Sequence, residues 1–214
     1  MASSKSWVWR AGAWSLSATA LVIAAVAAWL LVSVFAGSPQ GQSGQVLDVE
    51  GYPSTVSALG DDGRERVLSA SLEDERRGFD ELAAGDRIIV SGTGYDAASG
   101  IYVALCKVPD SLELKPGPCL GGVGQRGEGR EAIAGVVEYG ASNWINDDWA
   151  WRLFGARSFD DANVGSFTAY IEAPAESDEN VDCTAVRCGL YTRNDHTALE
   201  DRVQDVYIPI AFGE

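Results

Sequence analysis

The chain has 214 residues, 46% of them hydrophobic, enough apolar material for one ordinary domain with a buried core, which argues against wholesale disorder. Its net charge is −15; Lys5 and Arg10 are the only charged residues before Asp48, so all 31 acidic residues and 14 of the 16 basic ones lie on the body. Such an acidic body repels phosphate backbones and argues against nucleic-acid binding, and one His with four Cys leaves little for a metal site.

The amino-terminal part reads as a membrane segment. No charge occurs from Ala11 to Leu47, and Leu16–Phe35 is an apolar run of about 20 residues, which at about 1.5 Å per residue spans a ~30 Å hydrocarbon core. Backbone in that environment must satisfy its own hydrogen bonds, so the run is expected to be helical. Lys5 and Arg10 precede it, which keeps the N-terminus cytoplasmic and sends the body outward. Residues 1–10 then form a cytoplasmic tail, 11–36 a single-pass signal-anchor, 37–45 an uncharged Gly/Ser/Gln linker, and 46–214 an exported domain. The competing reading is secretion after cleavage beyond Ala36, where Val34 and Ala36 supply small residues at the −3 and −1 positions. The run is longer than the usual 7–15 residue core of a cleaved signal, which favours the anchor.

The body reads as all-β. Gln45–Val49 and Thr55–Leu59 suggest a short hairpin, and Leu68, Ala70 and Leu72 share one face of the next run. Leu72 to Leu82 is the one helix-prone stretch outside the membrane segment, weakened by Gly78. Ile88 and Val90 alternate with Arg87, Ile89 and Ser91, and Phe167, Ala169 and Ile171 with Ser166, Thr168, Tyr170 and Glu172. Ile101–Cys106 is continuously apolar, the pattern of a strand buried on both faces or closing a cleft. The last strand carries Val206, Ile208, Ile210 and Phe212 on one face and Pro209 on the other, which favours an edge position. Short strands between turn signals such as Asp61-Asp-Gly63 predict a sandwich or barrel.

The stretch Leu120–Val164 holds the most informative residues. Its glycine-rich start, Gly121–Gly129, lacks the Lys-Ser/Thr ending of a phosphate loop. Trp144, Trp149, Trp151, Phe154 and Phe159 then crowd together with Asp147, Asp148, Asp160 and Asp161. Such aromatics either cap the sandwich as core or form a lip for a partner or ligand. Asp161, Asn163 and Glu172 echo a calcium loop, but Gly165 occupies a position that needs a ligand. His196, the only histidine, reads as a turn residue hydrogen-bonded beside Asp195; no Ser or Cys nucleophile is positioned for it, so no catalytic residue is assigned. The acidic run Glu172–Asp182 reads as a solvated loop.

All four cysteines, Cys106, Cys119, Cys183 and Cys188, lie in the exported part, where an even count reads as disulfides. Three pairings exist, of which the local one is the simplest. A four-thiolate zinc site is the rival, but the spacing of Cys106 and Cys119 is far outside the usual two to four residues between paired ligands.

One family resemblance stands out. The run Gly78–Tyr95, then Gly100–Cys106, Cys119, Gly165–Tyr170 and Val181–Cys188 is, in order and spacing, similar to the neocarzinostatin family of actinobacteria. The resemblance implies a seven-stranded immunoglobulin-like β-sandwich with two local disulfides, Cys106–Cys119 and Cys183–Cys188. The tail, Tyr191–Thr197 and Gln204–Phe212, is similar to exported neocarzinostatin-like domains of actinobacterial surface proteins, some of which accompany haem-uptake modules. Two features depart from the secreted carriers: the membrane segment and the longer Leu120–Val164 stretch. The expected function is non-enzymatic: a membrane-anchored domain that docks on another envelope or membrane protein, with Trp144, Trp149, Trp151 and Phe154 as its candidate surface and no cofactor. The alternative is a carrier of a small apolar ligand or haem in a cleft of the sandwich.

Overall fold

The computed structural model describes residues 21–23, 25, 41–122 and 137–213. The chain divides into two units, residues 1–39 and 40–214. In the first, Leu21, Val22, Ile23 and Ala25 are helical, and the rest of the predicted span lies outside the described residues. Among the described residues no helix is long and apolar enough to cross a membrane. The glycine-rich run after Gly122 likewise lies outside them.

The second unit is built from two four-stranded antiparallel sheets. One is ordered β1 (Thr55–Leu59), β2 (Glu65–Leu72), β3 (Arg87–Thr93), β6 (Phe167–Glu172); the other β5 (Ser142–Ile145), β4 (Ile101–Lys107), β7 (Cys188–Asn194), β8 (Val206–Ile210). Alternation puts Leu68 and Ala70 of β2, Ile88 and Val90 of β3, and Phe167, Ala169 and Ile171 of β6 on the inner face of the first sheet. Ile101, Val103 and Leu105 of β4 and Leu190 of β7 meet them from the second, so one core fills the space between the sheets.

The other face of β4 is buried as well. Ala104 and Cys106 pack with Val108, Cys119, Tyr191 and Tyr207 in a second, smaller core outside the sheet. That accounts for the unbroken apolar run of β4. The cover over this face has two parts: the 107–119 loop, closed by the Cys106–Cys119 disulfide, and a strap from Gly41 to Val49. The second disulfide joins Cys183 to Cys188, and no cysteine is free.

The strap begins inside the segment read as linker. Its Gln45 side chain donates to the Tyr207 carbonyl at 2.8 Å and accepts from the Tyr207 N–H at 2.7 Å, so one amide stands in for a neighbouring strand on β8. Pro209 has no N–H to donate, which the edge position of β8 tolerates. Thr55–Leu59 pairs with β2, and Gln45–Val49 forms no strand.

The expected helix over Leu72–Leu82 does not form. Leu72 ends β2, and the remainder is turns in which Phe79 and Leu82 are buried separately. Leu82 N–H is taken by the Ala211 carbonyl at 2.9 Å, a partner 129 positions away, so tertiary pairing replaces the local ladder. Two glycines let segments cross nearby. Gly94 and Gly165 both have positive φ, +81° and +62°, and a Cβ on Gly165 would lie 1.7 Å from the Tyr95 carbonyl oxygen.

Candidate functional site

The aromatic residues of the stretch after β4 separate into two groups. Phe159 is core: it is buried, and its ring meets Phe167 edge-on at 6.3 Å. Trp144, Trp151 and Phe154 form a chain of ring contacts at one end of the sandwich, 5.6 Å from Trp144 to Trp151 and 6.3 Å from Trp151 to Phe154. His196 joins it, 5.3 Å from Trp144 and 4.8 Å from Trp151, both edge-to-face. Sequence position hides this, because His196 is more than 40 residues from either tryptophan.

The loop that carries the lip is fixed at both ends. Asn146 N–H donates to the Arg157 carbonyl at 2.8 Å, and Arg157 N–H to the Trp144 carbonyl at 2.7 Å. Between them, helix α1 (Trp149–Arg152) is capped by Asp148, whose carboxylate accepts from Ala150 N–H. Asp147 accepts from Phe159 N–H at 2.9 Å. Asp160 accepts from the Thr168 hydroxyl, and Asp161 from Asn163 N–H. The four aspartates of the cluster therefore serve local turns and caps. Among the described residues no group of three or more His, Cys, Asp or Glu side chains is placed to hold a metal ion.

Helix α1 buries none of its residues. Trp149 is 74% exposed, and Leu153 and Phe154, just beyond the helix, are 70% and 63% exposed. Trp144 and Trp151 are half-buried. Phe159 thus belongs to the core, whereas Trp149, Leu153 and Phe154 are exposed.

Asp195 underpins the arrangement. Its carboxylate accepts from Trp144 Nε1 at 2.8 Å, Asn146 Nδ2 at 2.9 Å, Thr197 N–H at 2.8 Å and the Thr197 hydroxyl at 2.6 Å. Gly100 makes room, since a Cβ there would lie 2.0 Å from Asp195 Oδ2. Burial opposes ionisation of this carboxyl, but the donors from Thr197, Trp144 and Asn146 outweigh it and hold the group below its ordinary range. His196 lies in the turn beside Asp195, as expected, and its hydrogen-bond partner is Tyr102: Nδ1 is 3.0 Å from the Tyr102 hydroxyl, while the Asp195 carboxylate faces Trp144. Burial, then the charge of Asp195, raises that phenol above its usual range.

Comparison with known protein families, curated proteins and solved structures finds no match for this chain. The chemistry of the site is therefore read from its own residues. It offers a firm aromatic surface with one imidazole at its centre. Asp195, Tyr102, Asn146 and Thr197 were not assigned to the site from sequence, although the Asp195-x-Thr197 turn is a local signal for a carboxylate that gathers donors.

Proposed function

We propose that this chain is a non-enzymatic docking module. In this reading an exported immunoglobulin-like sandwich, of the type that resembles neocarzinostatin, rides on a single-pass N-terminal anchor. It serves as an accessory component of a cell-envelope or membrane protein complex. The observation that carries the reading is Trp149, a large apolar side chain held out to solvent on a capped helix that buries nothing. Exposing a tryptophan on a mobile loop would be unremarkable, but here hydrogen bonds and tilted or edge-to-face ring contacts fix the neighbouring Trp144 and Trp151. A rigid, exposed aromatic patch is the usual form of a binding anchor. The fitting partner is an apolar surface rimmed by basic groups, since the body that bears the patch is strongly acidic.

The carrier alternative draws less support. The space between the sheets is filled by fully buried Leu68, Tyr95, Leu105, Phe167 and Leu190. Purification of the tagged full chain in mild detergent tests the docking reading. A stoichiometric membrane-protein companion is expected with the wild type and is lost with Trp149→Ser. Recovery of the chain alone, or unchanged recovery of the companion with the variant, would overturn it.

A further inference from the structure

The margins of β8, β6 and β5 are each covered from within the molecule. On β8, Gln45 holds the backbone of Tyr207, and Ala211 just beyond the strand is paired with Phe79 and Leu82. On β6, Asn143 and Gly140 hold Tyr170, and Gly140 also accepts from Glu172 N–H. On β5, Arg157 donates to the Trp144 carbonyl.

The margin of β1 differs. Its ladder with β2 has a fixed parity: Ala70 N–H goes to the Ser54 carbonyl at one end, and Gly60 N–H to the Arg64 carbonyl at the other. Antiparallel pairs alternate between bonded and non-bonded, so Val56 and Ala58 are bonded to Leu68 and Arg66. Thr55, Ser57 and Leu59 turn their N–H and C=O away from the sheet. Gly44 of the strap crosses Leu59 so closely that a Cβ on it would lie 2.2 Å from the Leu59 carbonyl oxygen. At the other end Pro53 has no N–H to offer. That leaves Thr55 and Ser57, both exposed, whose backbone groups are bonded to no described residue.

Edge strands are usually guarded by charged side chains or a bulge. Here Gly51 to Gly60 is uncharged, and the register with β2 is continuous. The open stretch is also self-complementary. A strand that satisfies it must itself present outward groups on two residues separated by one, as β1 of a second copy does. With Thr55 opposite Ser57 and Ser57 opposite Thr55, each residue exchanges both backbone bonds with its partner. The same register sets Val56, which packs against the core, beside Val56 of the second copy. Charge favours the same place. Two chains of net charge −15 repel one another, and least where no carboxylate stands.

We propose that β1 is a self-association edge, on which two copies pair antiparallel about a two-fold axis at Val56 and join their first sheets into one.

Cysteine cross-linking of the full chain in mild detergent tests this, since the native protein has no free thiol. The two Val56 positions form a non-hydrogen-bonded pair with Cα atoms about 4.5 Å apart, within reach of a disulfide. Val56→Cys is expected to oxidise to a dimer at least about tenfold faster than Ser71→Cys. Ser71 is the more exposed residue, so chance collisions would give the reverse order. Adding Ser57→Pro removes an outward N–H and leaves the β1–β2 ladder whole, so the melting temperature is kept and the rate falls at least about tenfold. A Val56→Cys chain that stays monomeric, or that links no faster than Ser71→Cys, would overturn the proposal. So would linkage in cells to another polypeptide in place of the second copy, or a rate unchanged by Ser57→Pro.

Discussion

Trp144 and Asp195 are 51 positions apart in the chain and 2.8 Å apart in space, indole N–H to carboxylate. This one contact ties the platform of the aromatic lip to the turn after β7. Removing the carboxylate in Asp195→Ala leaves the Trp144, Asn146 and Thr197 donors without a partner. The expected cost is about 3 kcal/mol, with Asp195→Asn costing less because the amide oxygen still accepts. Urea denaturation of the two variants checks the order. An Ala variant as stable as wild type would refute the role assigned to Asp195.

The same carboxyl sets an acid limit. Its folded-state pKa lies below the ordinary value, so its contribution is present above about pH 4 and is lost as pH falls further. Asp62, held low chiefly by its hydrogen bond from Arg66, acts in the same direction. Melting temperature is therefore expected to drop below about pH 4, and the drop shrinks in Asp195→Asn. A flat profile in acid contradicts this.

Asp205 works in the opposite sense. Burial raises its carboxyl to about 7 in the folded state, against about 4 in an unfolded chain. A raised pKa means stability falls as pH climbs between those values. Asp205→Asn mimics the neutral form and is expected to exceed wild type at about pH 8 by on the order of 3 kcal/mol, while matching it near pH 4. Paired melts at the two pH values decide the matter.

The two disulfides should not be equal. By chain entropy, closing 13 residues between Cys106 and Cys119 is worth about 3 kcal/mol, and closing 5 between Cys183 and Cys188 about 2. The Cys106–Cys119 bridge also holds the loop over the outer face of β4. Double Ala variants of each pair, compared by thermal denaturation, should rank in that order.

Gly165→Ala is expected to destabilise the sandwich by roughly 3 kcal/mol or more, since the new Cβ meets the Tyr95 carbonyl oxygen at 1.7 Å on a backbone with φ of +62°. Gly63→Ala is the control. Its φ is also positive, but a Cβ there meets nothing within 4 Å, so the loss should stay near 1 kcal/mol. Equal losses would mean that backbone conformation, not crowding, governs both positions.

Much of the sandwich was legible because sheet periodicity is local. Ile88 and Val90, or Phe167, Ala169 and Ile171, declare their buried face within five residues. The unbroken run of β4 announced a second covered face without saying what covers it. What the chain order conceals is held by distant partners. Gln45 finds Tyr207 across 162 positions, and an uncharged Gly/Ser/Gln segment has no period to reveal that grip. Phe79 and Leu82 looked helical because their neighbours have helical propensity, but Leu82 is hydrogen-bonded to Ala211. At the lip, the tryptophans were visible as composition. Their division into half-buried platform and exposed tip depends on Asp195 and on a loop closed by Arg157, neither of which spacing discloses.

The Gln45 amide on β8 has a counterpart: Asn143 donates to the Tyr170 carbonyl and accepts its N–H, both at 3.0 Å, along the outer margin of β6. A sheet margin with open backbone groups is a template on which further copies stack, the first step toward fibrils. Here two side-chain amides occupy one pair of backbone groups on β8 and one on β6, a single margin of each layer. Losing either amide would then bare a backbone pair on its margin, a place where a second copy could add a strand.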